Sequence, residues 1–294
     1  MTTDPNRAAS WPRVSVKGAS HDDSHGGELM VAGRTRVEAD GLGDWRFYAA
    51  TRVAADVPPA YPGGPSHKAG SAIVLVTSVS IPNHPSLSFM TPSATALALD
   101  AAFNSGITAA ALWPQINFKA VVTPDGPGTA IATNDAPLLF DFLSASMVAA
   151  VSSFQAIEAF ANETIARHLK GKITLQRRKG PEDMDAEEIE RHVSTEEKIA
   201  TVLPLVLNMP SIKGGTHWQK FVLLKRTRDA ATHFKSGDQY SLAGKISKDS
   251  LYSILLINDP CQFPLGALRV IWSLRKPIVT PRWLDHLAEK HGLF

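Results

Sequence analysis

The sequence predicts an α+β protein: a small β-rich domain at the N-terminal side, followed by an all-α helical bundle. Three observations carry this. Runs of β-branched and alternating residues are confined to roughly the first 133 positions. At Asn134-Asp135-Ala136-Pro137 the pattern changes to a helical one, with Asp135 able to cap and Pro137 suited to a first turn. Beyond it, helix starts and stops follow one another with short connectors, as in a bundle.

Residues 1–27 are rich in Ser, Asp, Gly and His and read as a solvated tail. Its His21-Asp22-Asp23-Ser24-His25 gathers ligand-type side chains, but no rigid element is predicted to fix their geometry. From 28 to 133 the expected domain opens with a hairpin, Leu29–Val37 against Trp45–Val53 about the Gly41–Asp44 turn. Ala72–Ile81, largely apolar and β-branched, reads as a central strand. Ala94–Phe103 reads as a short helix closing at Gly106, and Ile116–Val122 with Thr129–Ala132 as a second hairpin. This domain carries no nucleotide loop, paired catalytic carboxylates or nucleophile elbow.

Within 134–294 a long helix is expected from Pro137 to about Lys170, with Leu143, Met147, Val151, Phe154, Ala161 and Ile165 on one stripe. Glu158 falls on that stripe, so it either pairs with a cation of another helix or reaches water at the edge. Residues 171–192 turn from basic to acidic and read as a solvated linker into a charged helix. Arg177, Arg178 and Lys179 are possible backbone contacts for a nucleic acid. Ser194-Thr195-Glu196-Glu197 is a capping box for a helix towards Leu207, and further helices are expected over 248–257, 265–275 and 282–290.

With a net charge of +2, pI near 8.6 and 44% hydrophobic residues, the chain can bury a core, and any nucleic-acid site must be a local patch. One cysteine, Cys261, excludes an internal disulfide or a cysteine zinc cluster and suits a buried position. No signal peptide and no run of eighteen apolar residues is seen. The expectation is therefore a soluble, cytoplasmic protein without membrane association, needing no cofactor or metal.

The chemistry concentrates between Gly214-Gly215 and Gly237. Thr216 and Gln219 suit a capping box, Trp218, Phe221, Val222 and Leu224 form an apolar first half, and Lys225, Arg226, Arg228 and His233 a cationic second half. Asp229 and His233 are i, i+4, as are Arg228 and Thr232. An always-charged fork donor, a carboxylate and a titratable ring can together hold a phosphodiester and move a proton. The same residues also make an ordinary solvated helix end with a salt bridge.

Arg228-Asp229 followed by His233, late in a helix, resembles the Arg-polar-x-x-x-His signature of the HEPN superfamily. The helix through Ser153–Phe160 and the helix start at Ser194–Ile199 are similar to its surroundings, over about residues 137–290. The resemblance implies an all-α domain and a metal-independent endoribonuclease of toxin or phage-defence type. It also implies a homodimer whose composite cleft brings together two His233 and two Arg228, with an antitoxin or regulatory protein as a possible partner. In that arrangement His233 would act as acid or base in attack by the 2′-hydroxyl, Arg228 as phosphate clamp and Asp229 as the group orienting His233. Lys225 and Arg226 would contact RNA, and Glu158 and Thr232 would support the site. Asp229 departs from the commoner Asn. Two other readings stay open: a silent HEPN-like module binding RNA or protein, and a structural dimerisation bundle. His168, His192, His217, His286 and His291 read as structural.

Overall fold

In a computed structural model of the chain, residues 15–16 and 31–32 are described, with 42–292 apart from 49, 60, 62–65, 84, 124–125, 179, 234–249 and 276–280. The mixture of helices and small antiparallel strand pairs places the chain in the α+β class. Two compact units divide after Ser93, so the residues from Ala94 onward belong with the helices rather than with the preceding strands.

The first unit consists of two-stranded pieces. β1 (Ser15–Val16) pairs with β2 (Val31–Ala32), β3 (Ala50–Arg52) with β4 (Ala72–Val74), and β5 (Val76–Val79) with β6 (Leu87–Met90), all antiparallel. The expected hairpin of Leu29–Val37 with Trp45–Val53 is therefore not formed, since each of its described parts has another partner. Ala72–Ile81 is not one central strand either. It breaks after Val74, and each half has a single partner among the described residues. Ile73, Val76, Val79 and Ile81 stay exposed at 36–44%. β-branched residues fit any pleated surface, and that propensity does not specify a covering layer.

The second unit is built on two long helices. α1 (Ala94–Leu112) runs antiparallel to α2 (Ala136–His168): the Thr95 N–H faces Glu163 Oε1 at 3.4 Å near one end, and Ala109, Leu112 and Ile116 pack with Leu138, Leu139, Phe142 and Leu143 near the other. α1 does not stop at Gly106. That glycine sits inside the helix, where a Cβ would lie 3.1 Å from the Pro260 carbonyl oxygen, so its function is close approach rather than termination. Between the two helices, β7 (Phe118–Thr123) and β8 (Gly126–Ile131) form the expected hairpin, and Asp135 accepts the Asn117 N–H at 2.9 Å.

α2 matches its expected span, but its buried face differs from the expected stripe. In its first half Phe142, Ser146, Ala149, Ala150 and Ser153 are buried, whereas Leu143, Met147 and Val151 are half-buried. Packing on both sides of α2 widens the covered surface beyond one stripe. The expected linker is instead a hairpin, β9 (Ile173–Arg177) with β10 (Gly180–Met184), which buries Leu175 and Met184. α3 (Ala186–His192) follows with a reciprocal Asp185–Glu188 capping box.

α4 is continuous from Thr195–Glu197 through a π turn at Lys198–Val202 to Leu203–Leu207, with the Ser194 hydroxyl accepting the Glu197 N–H. α5 (Thr216–Thr232), α6 (Leu251–Ile257), α7 (Gln262–Leu274) and α8 (Arg282–Lys290) complete the described helices. α7 lies against α1, α2 and α5. Its Phe263, Ala267, Leu268, Val270, Ile271 and Leu274 join Phe154, Ile157, Phe221 and Trp283 in the core. Cys261 is half-buried rather than buried, and desolvation pushes its thiol pKa up. Two stretches, Ala94–Gln115 and Thr133–His168, are long and apolar enough to cross a bilayer by length and composition. Both pack in this unit, which is compatible with a soluble protein.

Candidate functional site

α5 begins one residue earlier than a Thr216 cap would require. Gly215 is the N-cap, and the Thr216–Gln219 capping box is not made. Trp218, Phe221 and Leu224 anchor the helix as expected, with Phe221 stacked 6.0 Å from Phe154. Val222, expected among the anchors, is 40% exposed because it lies on the opposite side from Phe221 and Leu224. The helix ends at Thr232 rather than Gly237. His233 takes the C-cap with φ −121° and ψ 65°, its N–H donating to the Asp229 carbonyl at 2.9 Å. Lys235 and Gly237 lie outside the described residues.

Positions 225, 228, 229 and 232 recur at helical spacing and so share one face. Arg228 is the best positioned of them. Its guanidinium carbon lies 4.2 Å from the centroid of the Phe154 ring on α2, a cation–π contact that fixes the plane of the fork. Nη1 lies 2.9 Å from Asp229 Oδ1, while Nε is buried without a hydrogen-bond partner among the described residues. One edge of the fork is thus closed by packing, and the terminal edge faces outward, partly taken by Asp229.

Asp229 therefore pairs with Arg228. Among the described residues no hydrogen bond or ion pair is made by the His233 ring, which is exposed past the helix end. The orienting contact expected between Asp229 and His233 is not formed in this structure, because leaving helical φ/ψ at His233 removes the regular i, i+4 geometry. The Thr232 hydroxyl donates back to the Arg228 carbonyl at 2.9 Å and to the Asp229 carbonyl at 3.4 Å, a local bond that closes the last turn. Lys225 Nζ lies 2.9 Å from Glu196 Oε2, and that hydrogen bond and charge hold the Lys225 pKa above its ordinary value. Arg226 is exposed on the adjoining face.

Glu158 neither pairs with a cation of α5 nor simply reaches water. Its Oε1 accepts the Thr195 hydroxyl at 2.7 Å, and its charge acts on Lys198. Lys198 is 2% exposed and donates to Asn162 Oδ1 and to the Glu190 carbonyl, both at 2.9 Å. Burial lowers its pKa, with Glu158 and Glu190 opposing. Sequence reading missed both Lys198 and Glu196. Both follow the recognised Ser194 cap within four residues, but only the packing of α4 against α2 and α3, and the reach of Glu196 to α5, gives them partners. Of the possible RNA contacts elsewhere, Arg177 is committed to Glu197 at 2.6 Å and to the His192 carbonyl at 3.0 Å, and Lys179 lies outside the described residues.

No protein family matches the chain, and no curated protein or solved structure shows significant similarity to it. The chemistry of the site is therefore read from its own side chains.

Other features are structural. His291 stacks on Phe103 at a 3.8 Å centroid distance, and burial, with Lys290 and His286 nearby, lowers its pKa. Among the described residues no three His, Cys, Asp or Glu side chains converge as a metal site. The metal reading of His21–His25 lies outside the described residues.

Proposed function

We propose that the second unit is a HEPN-like ribonuclease domain of a cytoplasmic toxin or phage-defence protein, cutting RNA by attack of the 2′-hydroxyl without a metal. The observation that carries this reading is the Arg228 fork. It is stacked on Phe154, has one edge buried, and lies in the last turns of a helix that also carries Lys225, Arg226 and, as its C-cap, His233. A planar fork held by packing suits a phosphodiester, because less side-chain freedom is lost on binding.

In this proposal Arg228 clamps the phosphate and His233 transfers a proton, with Lys225 and Arg226 along the RNA backbone. One imidazole per chain supplies one proton-transfer group, and cleavage uses both an acid and a base. A two-fold homodimer would bring two His233 to one scissile bond. The exposure of His233 at the helix end supports this reading, since it leaves the ring accessible. An antitoxin or other regulatory protein would act by covering this face.

One observation favours a second reading, an RNA-binding module without cleavage: the Asp229 carboxylate is taken by Arg228 rather than orienting His233 for proton transfer. Incubation of total RNA with purified full-length protein in EDTA, beside Arg228→Ala and His233→Ala, separates the two. The nuclease reading expects cyclic-phosphate ends and a loss of about 100-fold or more in each variant. RNA binding without cleavage in all three proteins would establish the binding module, and neither activity would remove both readings.

A further inference from the structure

The two cations nearest the outward face of α5 are both already held by carboxylates. Lys225 Nζ lies 2.9 Å from Glu196 Oε2, and Arg228 Nη1 lies 2.9 Å from Asp229 Oδ1. The four side chains are all partly exposed, at 29–43%, so the pairs are open to water and to a competing anion. Two cations and two carboxylates leave this face with little field of its own to attract a polyanion. A phosphodiester arriving here has to displace a carboxylate from the group it binds.

We infer that Asp229 and Glu196 act as internal phosphate competitors, holding Arg228 and Lys225 in an RNA-excluding state. The inference rests on the reading of Arg228 as a phosphate contact. The shape of the Arg228 site makes the competition direct. Stacking on Phe154 fixes the guanidinium plane and the Nε edge is buried, so the terminal edge is the one left for a bidentate anion. Asp229 Oδ1 holds one nitrogen of that edge. It sits on the next residue of the same helix, so the chain loses little entropy in making the contact. Glu196 acts from a different element, α4, and links the competition at Lys225 to the position of that helix against α5.

A change that withdraws either carboxylate would raise affinity for RNA without adding any new contact. Two such changes are movement of α4 and a cationic partner that takes Glu196 or Asp229 for itself. This is regulation through the ground state of the free protein. Removal of either acidic charge therefore improves binding.

The test is binding of a labelled single-stranded oligouridine of about 20 nucleotides to the full-length protein in EDTA, at two salt concentrations. Asp229→Asn should tighten binding about two- to fivefold, the factor expected for releasing a half-exposed pair, and Glu196→Gln should act in the same direction. The gain from Asp229→Asn should vanish in an Arg228→Ala background. A gain that persists there reflects general loss of negative charge and overturns the inference. Unchanged or weaker binding by both single variants also overturns it, and if Arg228→Ala still weakens binding, Arg228 remains a phosphate contact. Binding by Arg228→Ala equal to that of the unaltered protein removes the phosphate-contact reading and the competition together.

Discussion

The start of α4 borders two polar groups of similar composition and opposite design. On one side Lys198 of α4 is sealed against α2 and α3, with Asn162, the Glu190 carbonyl and the charge of Glu158 around it. On the other, two residues earlier, Glu196 reaches Lys225 on α5, and the adjoining Arg228–Asp229 pair stands half in water. In the first group every strong donor has a fixed partner and no anion can enter. In the second the partners are exchangeable. Burial, more than residue type, separates a structural ion group from one that can serve a ligand.

The largest expected effect comes from breaking the sealed group. Lys198→Ala leaves the Asn162 oxygen, the Glu190 carbonyl and the Glu158 charge without their cation, in space that a smaller side chain does not fill. A loss of about 3 kcal/mol in chemical denaturation is expected. A loss under about 1 kcal/mol would show that water replaces the ammonium and that the two groups are less different than the structure implies.

Titration sharpens the same contrast, because the two lysines shift in opposite directions. Burial depresses the Lys198 pKa, so the folded protein releases that proton more readily than the unfolded chain. The stability cost is present at low pH and is relieved as pH rises towards the ordinary lysine value of 10.5. Glu196 raises the Lys225 pKa, so its contribution is present below the unfolded value and is lost as pH climbs through the higher folded one. Unfolding measured between about pH 8.5 and 11 should therefore show the unaltered protein gaining on Lys198→Met and then losing ground to Lys225→Met. A common slope for both comparisons would contradict the assignment.

The smallest effect is expected at the open group. Glu196→Gln should change the unfolding free energy by no more than about 0.5 kcal/mol, since exposed ion pairs contribute little and are screened by salt. A larger loss would make Glu196 a structural residue and weaken its reading as a competitor for phosphate.

Much of the helical unit was legible in the sequence because its signals are local. Asp135-Ala136-Pro137 opens α2 within a residue of the observed start, Ser194 does cap α4, and Trp218, Phe221 and Leu224 anchor α5 as their spacing requires. Local signals also misled where a neighbour decided the outcome. Gly106 sits inside a helix and close to Pro260, and residues 171–192, which read as a solvated linker into a charged helix, contain a hairpin held by the burial of Leu175 and Met184. In the first unit, Ala72–Ile81 has the propensity of a central strand but is split between two partners.

Residue spacing and 3.6-residue periodicity were enough to set Arg228, Asp229 and His233 near one helix end, with a long apolar helix before them. Tertiary structure alone decided what those side chains touch. It placed Phe154 under Arg228, brought Glu196 to Lys225, enclosed Lys198 beside Asn162, and ended α5 before His233. The physical reason is that hydrogen bonds and ion pairs fall off within a few ångströms. Contacts between α2, α4 and α5 depend on packing across 29 residues or more of chain, from Glu196 to Lys225 at the shortest, which no local pattern encodes.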